Sequence, residues 1–146
     1  MVRGSRLLRY LWAAPYTLAG LLLGAVAMLC GASARWHHGV LEICGGQIGK
    51  RMARVPQPFG FSAMTLGHVI LAVDRSALVQ LRLHEHVHVR QYERWGPLFL
   101  PAYALSSLLQ LLRGRNPYRE NHFERQAYAA VAARRRTARE SSSSHG

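Results

Sequence analysis

The 146 residues of the chain are the length of one compact domain, and the 49% hydrophobic content is ordinary for a globular protein, although one N-terminal block holds much of it. The formal net charge of +12 comes almost wholly from arginine, with Lys50 the single lysine. That balance selects anionic partners, and without an aromatic-basic strand pattern or a recognition helix it favours membrane lipid over nucleic acid.

From Tyr10 to Ala34 no residue is charged, and Leu11 to Cys30 reads LWAAPYTLAGLLLGAVAMLC. Twenty such residues in a helix reach ~30 Å, the thickness of a bilayer's hydrocarbon. Arg3, Arg6 and Arg9 precede the stretch, and Tyr10 and Trp12 stand where an interfacial aromatic belt would be. The competing reading is a cleaved signal peptide with Ala32-Ser33-Ala34 as its processing site. The apolar run exceeds the usual ~7–15 residues of such signals, so residues 1–34 are expected to form a retained transmembrane anchor. Arg35, Lys50, Arg51 and Arg54 weaken the charge asymmetry, which leaves the membrane side of the remainder open.

Gly39 to Cys44 has the pattern of a short strand ending at Gly45-Gly46. Lys50 to Pro58, basic and broken by prolines, is expected to be a loop. Met64 to Val73 is expected to be a second, longer strand, so a small antiparallel sheet is the expectation. The glycines from Gly45 to Gly49 lack the spacing and following helix of a dinucleotide fingerprint. Cys30 and Cys44 are the only cysteines and form no C-x-x-C pair, which excludes a cysteine zinc site; they are read as small buried apolar residues.

Asp74 or Ser76 is expected to cap a helix running to about Arg94, on which Leu78, Leu81, Glu85, His88 and Tyr92 share a face. Trp95-Gly96-Pro97 stops it. Leu98 to Leu112 has the composition and length of a second helix, Gly114 to Pro117 is a turn, and Asn121 is placed to cap a third helix through Val131 and Ala133. The fold class is therefore α+β: an anchor (1–34), a domain of sheet and three helices (35–133), and a basic, serine-rich tail expected to be disordered (134–146).

His84-Glu85-His86-Val87-His88 is an H-E-x-x-H motif. Its two outer histidines stand one helical turn apart, so both imidazoles project the same way and can bind one Zn²⁺ at ~2.0–2.1 Å. Glu85 falls beside the open coordination position, where a carboxylate can take a proton from the attacking water. A third protein ligand is needed. Asp74 is the only aspartate, Glu42 lies in a strand, Glu93 is on the same helix and Glu140 is in the tail, which leaves Glu120 and Glu124.

With Glu124 standing in Glu124-Arg125-Gln126-Ala127, residues 64–130 resemble the gluzincin metallopeptidases, particularly their minimal membrane-associated members, which carry H-E-x-x-H on one helix and E-x-x-A on a later one. The resemblance implies a zincin-like three-helix core, His84, His88 and Glu124 as zinc ligands, and Glu85 as general base. It also implies a strand before the active helix that binds substrate backbone, the place Met64 to Val73 occupies. His122 stands where related small sequences have a proline. Tyr118, Tyr128 and His122 are candidates for an oxyanion-stabilising group. His86 is read as solvent-facing, and His37, His38 and His68 as ordinary strand or loop histidines.

Trp95 to Leu112 is uncharged over 18 residues, long enough for a second membrane span. A crossing there would put His88 and Glu124 on opposite sides of the bilayer. A shared metal therefore requires this segment to fold back as a hairpin helix. The resulting expectation is a membrane-anchored zinc-dependent metallopeptidase-like hydrolase acting on peptide bonds. The alternatives are a non-enzymatic membrane protein with a structural or vestigial metal site, and a two-span adaptor without metal.

Overall fold

The computed structural model describes residues 2–56 and 61–143; the side chains of Arg3 and Arg6, the end of the basic loop at 57–60, and 144–146 lie outside the described residues. The chain divides into two compact units, Met1–Phe99 and Leu100–Gly146.

The first unit begins with α1 (Val2–Leu29), a helix long and apolar enough to span a membrane. The sheet follows as β1 (Ala32–His37), β2 (Val40–Gly45), β3 (Ala63–Leu66) and β4 (Val69–Ala72), with the short helix α2 (Gly46–Met52) between β2 and β3. Strand order is β1-β2-β4-β3. The outer pairs β1–β2 and β3–β4 are antiparallel, whereas the central pair β2–β4 is parallel. The sheet is thus mixed rather than antiparallel, because the two hairpins meet through strands that run the same way.

Met64 to Val73 is not one strand. Gly67, at φ +60°, turns the chain between β3 and β4, and a side chain there would collide with the backbone of Thr17. The apolar run is therefore a hairpin folded against α1. β1 was hidden because most of its side chains are exposed, so it carries no apolar alternation. Its pairing follows from the turn at His38 and Gly39, both with positive φ, the backbone a tight hairpin needs.

The sheet is covered on both faces. Val40, Cys44, Ile70 and Ala72 pack with Leu78 and Val89 of α3 (Arg75–Trp95). On the other face Ile43 and Val69 pack with Ala27 of α1. α1 approaches closely because Gly20 and Gly24 lie against the sheet: a Cβ on Gly20 would fall 2.8 Å from Val69 Cβ, and one on Gly24 would overlap Ile43. Side-chain bonds run along the same contact, with Tyr10 donating to the Gly39 carbonyl at 2.8 Å and the His68 amide donating to Thr17 at 3.1 Å. α1 is a wall of the core as well as an apolar segment, and its other face leaves Leu8, Leu11, Leu18, Leu22 and Leu29 exposed.

Asp74 caps α3 as expected, accepting the Ala77 amide at 2.8 Å. In the second unit, α4 (Phe99–Leu112, its first residue still in the first unit) precedes α5 (His122–Ser143). Asn121, fully buried, joins them: its amide donates to the Tyr103 carbonyl at 3.0 Å and Ser107 Oγ at 2.7 Å, while its oxygen accepts the Phe123 amide at 2.9 Å. The cap expected from the sequence is therefore also a bridge. The expected disordered tail from 134 is helical to Ser143. Alanine and arginine sustain the helix, and the serine hydroxyls bond back to carbonyls one turn earlier, as Ser141 does to Ala138 at 2.9 Å.

Candidate metal centre

α3 brings His84, Glu85 and His88 to its buried side. The two Nε2 atoms of His84 and His88 stand 3.1 Å apart. Two nitrogens bound tetrahedrally to one Zn²⁺ at ~2.05 Å would be ~3.3 Å apart, so the pair is close to ligating separation without rearrangement. His88 Nδ1 lies 2.8 Å from Gln91 Oε1, which can accept from a protonated Nδ1; in that tautomer the lone pair is on Nε2, the atom nearest His84. Gln91 arises one turn after His88 and is itself buried. Nothing in H-E-x-x-H points to it; only helical spacing could have.

Glu85 is buried, and its Oε2 accepts the Thr65 hydroxyl at 2.8 Å. Thr65 lies on β3, one of the two edge strands of the sheet. The first arm of the β3–β4 hairpin, not the strand that leads directly into α3, thus reaches the candidate base, and it is four residues long where one strand of ten was expected. Tyr92, one further turn along α3, is buried; burial, with smaller contributions from Tyr16 and Glu85, pushes its phenol well above the ordinary range, so it remains protonated.

Glu124 belongs to the second unit, in the first turn of α5. It is buried, and the Tyr103 hydroxyl donates to its Oε1 at 2.8 Å. Tyr103, on the apolar α4, was not a sequence candidate; its ring stacks on Phe123, with centroids 6.2 Å apart. Among the oxyanion candidates, His122 is exposed and within 2.9 Å of Gln126. Tyr118 is half-exposed; partial desolvation, then the Glu124 charge and Tyr128, push its phenol upward. Glu120 is half-exposed and faces Arg125 at 3.9 Å.

His86 is not solvent-facing. It is largely buried, with Nε2 3.4 Å from Glu42 Oε1. Glu42 is 2% exposed in the middle of β2. Arg82, one turn before His86, grips both Glu42 oxygens, Nε to Oε1 and Nη2 to Oε2, each at 2.9 Å. Burial alone would raise the Glu42 carboxyl, but the Arg82 bonds and charge, aided by His86 and His37, hold it below the usual carboxylate range. Burial also lowers His86, against the pull of Glu42, so its imidazole favours the neutral form. The signal in the sequence was a lone glutamate inside an apolar strand, which needs a partner when the strand is central. Arg82→Met should strand this carboxylate in the core and cost about 3–5 kcal/mol, read as a drop in chemical-denaturation midpoint. An unchanged midpoint would mean the pair carries no such weight.

No family model matches the chain, and no curated protein and no solved structure matches it. The functional reading rests on the residues themselves.

Proposed function

We propose that the protein is a membrane-associated zinc-dependent metallopeptidase-like hydrolase, in which His84, His88 and Glu124 hold the ion and Glu85 is the general base. The reading is supported foremost by the 3.1 Å separation of two Nε2 atoms on a buried helix face, with Gln91 fixing one imidazole. The order H-E-x-x-H then E-x-x-A, with the second glutamate buried under a tyrosine hydroxyl, supports Glu124 as the third ligand. The resemblance to minimal gluzincins is the basis for calling the core zincin-like.

A bound Zn²⁺ would supply Lewis acidity, polarising the carbonyl and acidifying the attacking water. Glu85 accepts the proton that water gives up, and the Thr65 hydroxyl keeps the carboxylate oriented. Tyr103 does the same for Glu124, its hydroxyl holding one carboxylate oxygen. β3, as the sheet edge beside Glu85, suits an extended peptide, whose backbone can pair with an open strand.

Membrane association is assigned to the exposed faces of α1 and α4. α1 docks along the sheet from Tyr10 to Ala27, and β1 beside it carries the exposed Arg35. Immersing the whole of α1 would carry polar strand edges into hydrocarbon, which is costly. The outward leucines therefore favour a helix lying in the interface with one face in lipid.

The test is a peptide-cleavage assay on the detergent-purified protein with an unstructured fluorogenic peptide mixture. Cleavage should disappear on dialysis against a strong zinc chelator and return with stoichiometric Zn²⁺. Cleavage that survives complete metal removal would exclude the proposal.

A further inference from the structure

The strand glutamate on the other side of α3 forms part of a second cluster. His37 at the end of β1, Glu42 in β2 and His86 in α3 each offer a donor atom, and these atoms all lie within 4.8 Å of one another. The His37 and His86 rings meet edge to face, with centroids 5.6 Å apart. Glu42 is held in place by Arg82, whose two bonds take one lone-pair direction on each oxygen. Each carboxylate oxygen has a second, and His86 Nε2 lies 3.4 Å from Oε1.

We propose that His37, Glu42 and His86 form a second cation site, selective for a borderline divalent transition ion such as Zn²⁺ or Ni²⁺, which pins the β1–β2 hairpin to α3. Two imidazoles and one carboxylate are the donor set such ions prefer. Ca²⁺ and Mg²⁺ need more oxygen ligands than one carboxylate supplies. Four-coordinate binding needs neighbouring donor atoms ~3.3 Å apart, so the widest separation must close by up to roughly 1.5 Å. His37 can supply that movement: it is only partly buried and ends β1 next to the His38-Gly39 turn. The site draws on no residue of the His84–His88 pair and stands whether or not that pair serves a hydrolase.

The experiment is Zn²⁺ content and titration on the full-length protein in detergent. The wild type should hold two ions per chain, and His37→Ala one. The double variant His84→Ala/His88→Ala should still hold one ion, and adding His37→Ala should weaken that remaining binding by at least about tenfold. His37 lies at the rim of the fold, so the metal-free His37→Ala chain should melt as the metal-free wild type does, separating lost ligation from misfolding. The proposal is overturned if the His84→Ala/His88→Ala chain binds no ion, or if His37→Ala changes neither content nor affinity. A failed hydrolase centre would look different: one ion in the wild type, retained in His84→Ala/His88→Ala and lost with His37→Ala.

Discussion

Glu85→Gln is expected to keep the metal and lose about 10²–10⁴-fold in peptide cleavage. Glutamine has the shape of glutamate, and its side-chain oxygen can still accept the Thr65 hydroxyl now bound at 2.8 Å. What it cannot do is take a proton from water. Fold, cap and histidine pair are untouched, so the loss should fall on kcat with little change in KM. The measurement is steady-state cleavage alongside metal content on the same preparation. Undiminished cleavage would remove Glu85 from the chemistry. Metal retained by a wild type that cleaves nothing would favour a membrane protein whose ion is structural.

Removing α1 should be equally severe for the fold. A chain beginning at Ala32 loses the layer that buries Ile43 and Val69, each 1% exposed. It also loses the Thr17 and Tyr10 bonds to the His68 amide and the Gly39 carbonyl, and the Tyr16 bond to the Pro97 carbonyl at 2.9 Å. Fully burying one such aliphatic side chain is worth about 1.5–3 kcal/mol, and whole-domain stability is only about 5–15 kcal/mol, so the uncovered sheet should aggregate rather than stand alone. A milder version is Gly24→Leu, which overlaps Ile43 and should cost about 1–3 kcal/mol. Size-exclusion chromatography with far-UV circular dichroism reads both. A soluble, monodisperse chain starting at Ala32 with native helix content would mean that α1 is a removable leader.

The longer helices were the legible part of this sequence, whereas α2 (Gly46–Met52) runs into the stretch from Lys50 that was expected to be a loop. α3 announces itself through a capping Asp74, an apolar face with 3.6-residue spacing and a Gly-Pro stop, and all three are present. Asn121 was legible for the same reason: a cap acts over a few residues of local sequence. The sheet was less so. β1 has four exposed side chains in its middle, and its pairing depends on a turn with His38 in a positive-φ conformation that composition does not advertise. Gly67 splits an apparently continuous strand because α1 presses on it from 50 residues away in sequence, which no local pattern contains.

The candidate centre divides in the same way. His84, Glu85 and His88 follow from one motif on one helix, so the sequence was enough to place them together. Their supports were not legible, because Gln91, Thr65 and Tyr103 are ordinary residues whose roles come from what they touch. His86 was misjudged because helix periodicity puts it opposite His84 and His88, while the sheet covers that face too and supplies Glu42.

Zinc bound per chain in Glu124→Ala, against wild type and His88→Ala, tests the central claim most directly. Two imidazoles alone hold Zn²⁺ weakly, and a third protein donor is what makes such a centre tight. Glu124→Ala should therefore lose one ion relative to the wild type, as His88→Ala does, with the circular dichroism spectrum unchanged. A Glu124→Ala chain that binds as much zinc as the wild type, with the same affinity, would show that Glu124 is not a ligand and that the E-x-x-A half of the resemblance carries no metal chemistry here.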